Sequence, residues 1–237
     1  MEIAPMCAVA VIHTDYKEKF GIPRQSGLVP EALGRVVFEP PYRSDDALRG
    51  LDGFSHLWLI WEFSKAVSGE WSPTVRPPRL GGNVRMGVFA TRSPFRPNPI
   101  GLSVVKLVEI RHGTPEGTVL IVSGADLLDG TPILDIKPYV PYSDSIPDAL
   151  GGFASEAPDP KLEVVFPNAL LDKVPNEKRA ALKSVLALDP RPRYQNDPDR
   201  IYGFRYSEQE IRFRVQDGSL TVLAVEAVPA SETGSDA

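Results

Sequence analysis

Three short strands are predicted within residues 103–136, whose sequence is SVVKLVEIRHGTPEGTVLIVSGADLLDGTPILDI. The segments 103–111, 118–123 and 133–136 are β-branched or alternate between apolar and polar residues, and Gly, Pro or Asp residues bound them. The three-and-four period of a helix does not separate them. This spacing is typical of strands that short turns join into an antiparallel sheet.

Four more apolar segments of the same kind precede this stretch, at residues 6–13, 36–39, 57–63 and 88–91. Many short strands without intervening helices favour a closed or nearly closed antiparallel barrel. The 24 prolines among 237 residues support this, because each proline fixes φ and removes a backbone donor, which disfavours long helices. We therefore predict a mainly β protein with an antiparallel β-barrel as its N-terminal domain, residues 1–167.

The C-terminal part of the chain has a different pattern. Apolar residues recur at intervals of three and four between positions 170 and 188, which predicts an amphipathic helix. Alternating segments at 201–206, 211–216 and 220–227 follow, the last two joined by an Asp217-Gly218 turn. We predict a small α+β C-terminal domain over residues 168–229 and a flexible tail at 230–237. The proline-rich residues 138–160 would connect the domains, and 161–166 could add a strand.

Charge is distributed unevenly along the chain. The net charge is −5, yet residues 71–108 hold six cations and no acidic residue. A basic surface on an acidic protein suits a polyanion that binds at one defined site, whereas coating of nucleic acid by bulk attraction requires a basic protein.

Cysteine and histidine usage excludes several classes of site. Cys7 is the single cysteine, which excludes an internal disulfide and a cysteine-rich zinc site. Its apolar neighbours predict a buried core residue. His13, His56 and His112 lack metal-ligand spacing. No apolar run reaches the ~20 residues that span a bilayer. We expect a cytoplasmic protein that uses neither a membrane nor a metal.

Standard catalytic motifs do not account for the chain. GxGxxG and HExxH do not occur in the sequence. Ser93 or Ser103 could form a hydrolytic triad with His56 and Asp126, but no GxSxG turn supports such a triad.

The segment 87–103 is the most unusual part of the sequence, because Pro94, Pro97 and Pro99 stiffen a loop that also carries Arg92 and Arg96. A stiff loop loses little further entropy when it binds a ligand. Other polar, turn-rich segments lie at 21–25, 52–63 and 126–139, the last with three aspartates around a turn.

At these segments the chain resembles the TsaA-like (TrmO) family of S-adenosylmethionine-dependent tRNA N6-methyltransferases, over nearly its whole length. The resemblance implies a β-barrel methyltransferase that works as a homodimer. Its substrate would be the tRNA anticodon stem-loop carrying threonylcarbamoyl-adenosine (t6A) at position 37, which would become m6t6A. The motifs that carry the resemblance are Tyr16-Lys17-Glu18-Lys19-Phe20, Pro23-Arg24-Gln25, Phe54-Ser55-His56-Leu57-Trp58, Arg76-Pro77-Pro78-Arg79-Leu80-Gly81-Gly82-Asn83, residues 87–101, residues 129–139 and Asp189-Pro190-Arg191-Pro192-Arg193-Tyr194.

The resemblance also implies where S-adenosylmethionine would bind. Arg24 or Arg92 could pair with the carboxylate of the donor. Phe63 and backbone groups of residues 124–127 could hold its adenine, and Leu102 could cover it. The implied cofactor residues are Pro23, Arg24, Gln25, Glu62, Phe63, Arg92, Leu102, Gly124, Ala125, Asp126 and Leu127.

Two further sets of residues follow from the chemistry of the acceptor. Its N6 is conjugated to a carbamoyl carbonyl, so removal of the N6 proton would help the attack. Asp126 and Asp129 are candidate bases, followed by His56. Candidate contacts to tRNA phosphates are Arg76, Arg79, Arg85, Arg96, Arg191 and Arg193.

The alternative function is a non-catalytic RNA- or nucleoside-binding β-barrel module. Such a module would present aromatic stacking platforms on an exposed sheet surface. Trp58 and Trp61 instead lie in an apolar strand and are predicted to belong to the barrel core.

Overall fold

A computed structural model describes residues 5–66, 71–155, 162–191 and 197–228. Six strands of the N-terminal domain form a closed antiparallel barrel in the order β1-β2-β7-β6-β3-β8, which confirms the predicted fold class. The predicted tail at 230–237 lies outside the described residues. The barrel strands are β1 (Ala10–His13), β2 (Leu33–Phe38), β3 (His56–Glu62), β6 (Ile100–Thr114), β7 (Gly117–Ser123) and β8 (Thr131–Pro138).

The barrel core comes from one side of each strand, as the alternation of side chains along a strand requires. In β3, Leu57, Leu59 and Trp61 are buried in this core. Trp58 was predicted to lie in the core as well, and this was wrong. Its position in β3 alternates with those of Leu57, Leu59 and Trp61, so its side chain points away from the core. The Trp58 ring packs beside Tyr139, at 5.9 Å between ring centroids, and its Nε1 donates to Asp144.

Two predictions near the strand ends were also wrong. The first strand begins at Ala10, so Cys7 precedes it; Cys7 is exposed and lies 3.0 Å from the Tyr42 hydroxyl. Residues Val88–Ala90 form a short 3-10 helix, because buried Val88 hydrogen-bonds to the Pro73 carbonyl outside the barrel ladder. Next to this helix, β4 (Thr74–Val75) and β5 (Met86–Gly87) form a separate two-stranded sheet.

Three connections leave the barrel at the same end. They join β1 to β2, β3 to β6 and β7 to β8, and the ladders place His13 opposite Arg35, Glu62 opposite Ile100, and Ile12 opposite Thr131. The β3–β6 connection is the long basic segment, and the β7–β8 connection contains Asp126 and Asp129. Antiparallel topology therefore collects the segments singled out in the sequence above one end of the barrel.

The C-terminal domain is a four-stranded sheet in the order β10-β11-β12-β9 with a helix beside it. Its strand β9 runs parallel to β12, so this sheet begins before residue 168, the boundary predicted from sequence. The predicted helix is divided in two, because Val174 precedes Pro175 and that position disfavours helical backbone. The elements are α1 (Pro141–Asp144), which follows β8 in the chain, then β9 (Glu163–Val165), α2 (Asn168–Leu171), α3 (Asn176–Ala187), β10 (Tyr202–Tyr206), β11 (Gln209–Gln216) and β12 (Ser219–Ala227).

The hydrophobic core of the C-terminal domain extends into the N-terminal domain. Tyr16, Val29 and Ala32 of the β1–β2 connection are buried in it with residues of α3 and β10–β12. The C-terminal domain therefore packs at the same barrel end as the three connections. Among the described residues, none of the helices is both long and apolar enough to cross a membrane.

Candidate active site

A cavity of about 600 Å³ lies at this end of the barrel. All three connections contribute to its walls, together with the ends of β3, β6 and β8. Its lining is largely apolar but includes several cations and two carboxylates, Glu62 and Asp126. The lining residues are Lys19, Ile22, Pro23, Arg24, Gln25, Trp61, Glu62, Phe63, Ser64, Lys65, Ala66, Thr91, Arg92, Pro94, Phe95, Arg96, Ile100, Gly101, Leu102, Asp126, Leu128 and Thr131.

A buried hydrogen-bond chain supports Asp126 on the cavity wall. The Trp61 indole Nε1 donates to Ser103 Oγ at 3.0 Å, and Ser103 Oγ donates to Asp126 Oδ1 at 2.6 Å. An indole N–H can only donate, so the hydroxyl proton of Ser103 must point towards Asp126. The direction of the chain is fixed, and Asp126 keeps Oδ2 as the oxygen that Ser103 does not occupy.

Burial raises the pKa of Asp126 above the ordinary range of an aspartate. The Ser103 hydroxyl, the Ser26 backbone N–H and the positive charge of Arg92 oppose this effect, since each stabilises the carboxylate. A carboxylate whose pKa is raised is a stronger base than an ordinary aspartate.

The acid limb of the pH–rate profile tests the link between Ser103 and Asp126. If Asp126 acts as a base, the rate falls as the pH drops through the pKa of this carboxyl. Ser103→Ala removes a donor to the carboxylate, so the pKa rises and the limb moves to higher pH. The pH dependence of single-turnover methylation measures this shift.

Ser123→Ala is the matched control, because it also removes a buried hydroxyl, one that donates to the Pro30 carbonyl at 2.5 Å. Its acid limb should coincide with that of the wild type. An unchanged limb in Ser103→Ala would contradict the role of Ser103.

Close packing at the mouth of the barrel holds Trp61 in place. The ring of Phe63 lies 4.2 Å from that of Trp61 between centroids, in an edge-to-face arrangement. On the neighbouring strand, a Cβ at Gly101 would lie 2.3 Å from Trp61 Cε2, so only glycine leaves space for the indole. Gly101 and Phe63 therefore fix the donor that begins the hydrogen-bond chain.

The cationic side of the cavity is also held by hydrogen bonds. Arg92 Nη1 donates to Gln25 Oε1 at 2.5 Å, which links the β3–β6 connection to the β1–β2 connection. Arg96 Nη1 donates to the Thr91 carbonyl at 3.1 Å within its own loop. Both arginines line the cavity, as does Arg24. The cavity thus combines oriented guanidinium groups with aromatic and apolar surface.

Most of the predicted cofactor residues line this cavity: Pro23, Arg24, Gln25, Glu62, Phe63, Arg92, Leu102 and Asp126. The other three lie behind the wall. Ala125 and Leu127 are buried in the barrel core. The Gly124 N–H donates to the Ala32 carbonyl, and the Gly124 carbonyl accepts from Gly27 N–H.

The structure separates the three candidate bases. Asp129 accepts from Lys17 Nζ at 2.8 Å and from Thr14 N–H at 3.0 Å and is absent from the cavity lining. Burial raises the pKa of Asp129, but these donors outweigh burial and hold the pKa below its ordinary value. His56 begins β3, so it lies about 20 Å from Glu62 at about 3.3 Å per residue, at the other end of the barrel.

The predicted RNA-binding arginines are spread over both domains. Arg76 and Arg85 are exposed, Arg79 is half-buried, and Arg96 lines the cavity. Arg191 is nearly buried in the C-terminal domain, where its guanidinium forms a forked pair with Asp189 at 2.8 and 2.9 Å. Its charge is therefore already compensated. Arg193 lies outside the described residues.

Two residues of the site were missed as site residues from sequence. Ser103 had been considered only as a hydrolytic nucleophile, and Trp61 only as packing. The signal for Ser103 was a polar residue at an inward position of β6, between Gly101 and Val105, which requires a buried partner. Nothing in the local sequence identified Asp126, which lies distant in the chain, as that partner.

Comparison with known proteins identifies the family of the chain. The profile of the tRNA-methyltransferase O N-terminal domain matches residues 11–145, and that of the TrmO C-terminal domain matches residues 159–228. The chain belongs to the TrmO family of tRNA methyltransferases. The family membership and enzyme class predicted from sequence are thereby confirmed.

Members of the TrmO family resemble the chain along almost all of its length. The tRNA (adenine(37)-N6)-methyltransferase of Escherichia coli K12 is 45% identical over 226 residues, which cover 92% of this chain and 96% of the relative. A putative S-adenosylmethionine-dependent methyltransferase of Pseudomonas aeruginosa is 42% identical over 213 residues, covering 86% of this chain and 90% of the relative. The crystal structure of TrmO from Pseudomonas aeruginosa superposes with a TM-score of 0.76 at 35% identity, over 95% of this chain and 100% of that one.

Proposed function

We propose that this TrmO-family protein transfers a methyl group from S-adenosylmethionine to N6 of adenine 37 in tRNA, and that this adenine carries the threonylcarbamoyl group of t6A. The observation that carries the proposal is the half-buried, hydrogen-bonded Asp126 on the wall of a cavity that also presents Arg92 and Arg96. Such a carboxylate can accept a proton from N6, a step that a barrel that only bound RNA or a nucleoside would not require. The name of the Escherichia coli relative supports transfer to N6 of adenine 37, and the name of the Pseudomonas aeruginosa relative supports S-adenosylmethionine as the donor.

The cavity fits S-adenosylmethionine in size and in chemistry. Its volume of about 600 Å³ lies within the range of small-molecule sites. Arg92, with Arg24 as the second cation, would hold the carboxylate of the donor, because guanidinium groups bind carboxylates with two hydrogen bonds. Phe63 and Leu102 would contact the adenine part. The half-exposed side chain of Leu102 would then be covered.

The residues of the chain would supply alignment and one proton acceptor. S-adenosylmethionine supplies the methyl group on a positively charged sulfur, which keeps the electron pair of the carbon–sulfur bond as that bond breaks. The new bond joins this carbon to N6. Asp126 accepts the proton that N6 loses, and Ser103 steadies the carboxylate before and during this transfer.

The basic β3–β6 connection would bind the tRNA. An adenine in a loop can leave the stack and be held by aromatic and arginine side chains. Arg96 and half-exposed Phe95 line the cavity, and exposed Arg76 and Arg85 lie further along the same connection. Because these arginines would replace phosphate counterions, binding of the anticodon stem-loop should weaken steeply with salt.

The decisive experiment compares two tRNA substrates with the purified full-length chain and S-adenosylmethionine. We expect tRNA that carries t6A to gain one methyl group at N6, detected by mass spectrometry of its nucleosides. The same tRNA without the threonylcarbamoyl group should remain unmethylated. Methylation of only the unmodified tRNA would contradict the t6A substrate.

A second measurement tests the alternative of a binding module. S-adenosylmethionine should raise the melting temperature, because a ligand that binds only the folded state stabilises it. Binding of tRNA without any stabilisation by S-adenosylmethionine and without methyl transfer would favour the non-catalytic module.

We further propose a cytoplasmic homodimer, as the resemblance implies. Tyr142, Ile146 and Leu150, in the segment that joins the two domains in sequence, are exposed apolar side chains, which a second copy could cover. The mass of the protein in solution tests this assembly. Among the described residues, no group of three or more His, Cys, Asp or Glu side chains could hold a metal ion.

A further inference from the structure

The β1–β2 connection, residues 14–32, lies between the cavity and the C-terminal domain. On one side, Pro23, Arg24 and Gln25 line the cavity. On the other side, Tyr16 and Val29 are buried in the core of the C-terminal domain. This connection contains no strand of its own, so its conformation depends on what packs against it.

Polar contacts from the C-terminal domain fix the start of this connection. Lys178 Nζ of α3 pairs with Asp15 Oδ1 at 2.7 Å and also donates to Ser207 Oγ at 2.5 Å. Ser207 N–H donates to the Asp15 carbonyl at 2.8 Å. The side chains of Lys178 and Asp15 are both about three-quarters buried, so this pair is screened less than a surface pair.

Contacts continue along the connection towards the cavity. Arg205 N–H donates to Glu18 Oε1 at 3.1 Å. Gly21 then lies directly against the Phe204 ring: a Cβ at Gly21 would be 2.5 Å from Phe204 Cε2, and its φ of +80° also favours glycine. Ile22 packs against the C-terminal core and lines the cavity as well. These contacts therefore reach the residue directly before Pro23.

We propose that the C-terminal domain is a positioning element for the methyl-donor site, acting through Lys178 and Phe204 on the β1–β2 connection. This inference rests on the proposed function, because it takes the cavity to be the donor site. Lys178 and Phe204 do not line the cavity. They hold the connection in the conformation that places Arg24 and Gln25 in the wall, so less order is lost when the donor binds.

The inference differs from a role in tRNA binding alone. If the C-terminal domain only added contacts to tRNA, changes at its contact with the β1–β2 connection would alter tRNA affinity and leave donor affinity untouched. If it positions the donor site, the same changes weaken donor binding when no tRNA is present.

Two variants of the full-length chain test the inference, Gly21→Ala and Lys178→Met, with calorimetry of S-adenosylmethionine binding in the absence of tRNA. We expect the dissociation constant of each to rise roughly tenfold, since an ångström-scale displacement of binding groups can reduce function by up to about a hundredfold. Melting temperatures are measured in parallel. Because Gly21→Ala introduces strain and could unfold the chain, Lys178→Met provides the test without a change in the backbone.

Each variant has a matched control. Gly50 has a φ of +85° and nothing within 4 Å of an added Cβ, so Gly50→Ala carries the backbone strain of Gly21→Ala without the Phe204 contact. Lys183 is exposed on α3, so Lys183→Met removes a charge from the same helix. Both controls should bind S-adenosylmethionine like the wild type.

The possible outcomes distinguish a failure of the positioning role from a failure of the proposed function. Weaker donor binding in both test variants, each still folded at the temperature of the titration, supports the positioning role. Wild-type donor affinity in folded Lys178→Met overturns it, even if tRNA binding weakens. Absence of donor binding in the wild type overturns the proposed function itself, independently of the C-terminal domain.

Discussion

Asp126→Asn is expected to slow methyl transfer to tRNA by about a hundredfold to ten-thousandfold, the usual contribution of a positioned general base. The amide has nearly the shape of the carboxylate and can still accept from Ser103 through its oxygen, so the wall of the cavity is retained. It cannot accept the proton from N6. Single-turnover methylation at saturating S-adenosylmethionine measures the loss, and calorimetry of donor binding shows whether the cavity is intact.

Asp129→Asn and His56→Ala are the comparisons for Asp126→Asn. Asp129 is held by Lys17 and the Thr14 N–H, so its replacement should lower the melting temperature. The rate of methyl transfer should change little. His56 lies at the other end of β3, so His56→Ala should leave the single-turnover rate unchanged. A normal rate in Asp126→Asn, or a loss confined to either comparison variant, would remove Asp126 as the base.

The barrel could be predicted from the sequence because its signal is local. Alternating, β-branched segments bounded by Gly, Pro and Asp specify strands one by one, and the two-residue connection between β6 and β7 makes that pair antiparallel. The positions at which the strands begin and end could not be predicted in the same way. Cys7 continues an apolar run in sequence, but backbone hydrogen bonds to the neighbouring strands start only at Val9, whose N–H donates to the Ile133 carbonyl of β8. Burial at such ends depends on partners that a local pattern does not contain.

The shared core between the two domains could not be predicted for the same reason. Tyr16, Val29 and Ala32 belong in sequence to a loop of the barrel domain, and only the folded chain brings them against α3 and β10–β12. Likewise β9 was expected as a possible extra strand, but its parallel pairing with β12 is contact between distant residues. Contacts between residues that are far apart in the chain leave no periodic signal in the sequence.

The sequence identified several residues that line the cavity, but not the hydrogen bonds that hold Asp126 in place. The resemblance supplied Arg24, Gln25, Phe63, Arg92 and Asp126, all of which line one cavity. It also supplied Gly124, Ala125 and Leu127, which lie behind that cavity because a run of neighbouring residues cannot all face one side. The direction of the Trp61–Ser103–Asp126 chain required three-dimensional contacts between β3, β6 and the β7–β8 connection.

Arg92→Met is expected to weaken S-adenosylmethionine binding by about tenfold to a hundredfold, because hydrogen bonds to a charged partner contribute roughly 1.5–3 kcal/mol. Gln25 holds the Arg92 guanidinium at 2.5 Å, so the cation is oriented before the donor carboxylate arrives. The positive charge of Arg92 also lowers the pKa of Asp126. Its loss should raise that pKa and move the acid limb of the methylation rate to higher pH.

Calorimetry of donor binding and the pH–rate profile measure these two effects of Arg92 separately. Arg49→Met serves as the control, since Arg49 is an exposed arginine in the β2–β3 connection at the opposite end of the barrel. If Arg24 instead holds the donor carboxylate, Arg24→Met should show the larger loss of affinity, while Arg92→Met should still shift the acid limb. Wild-type affinity in both Arg24→Met and Arg92→Met would show that neither guanidinium binds the donor, because a cavity that recognises a carboxylate must lose affinity when its cation is removed.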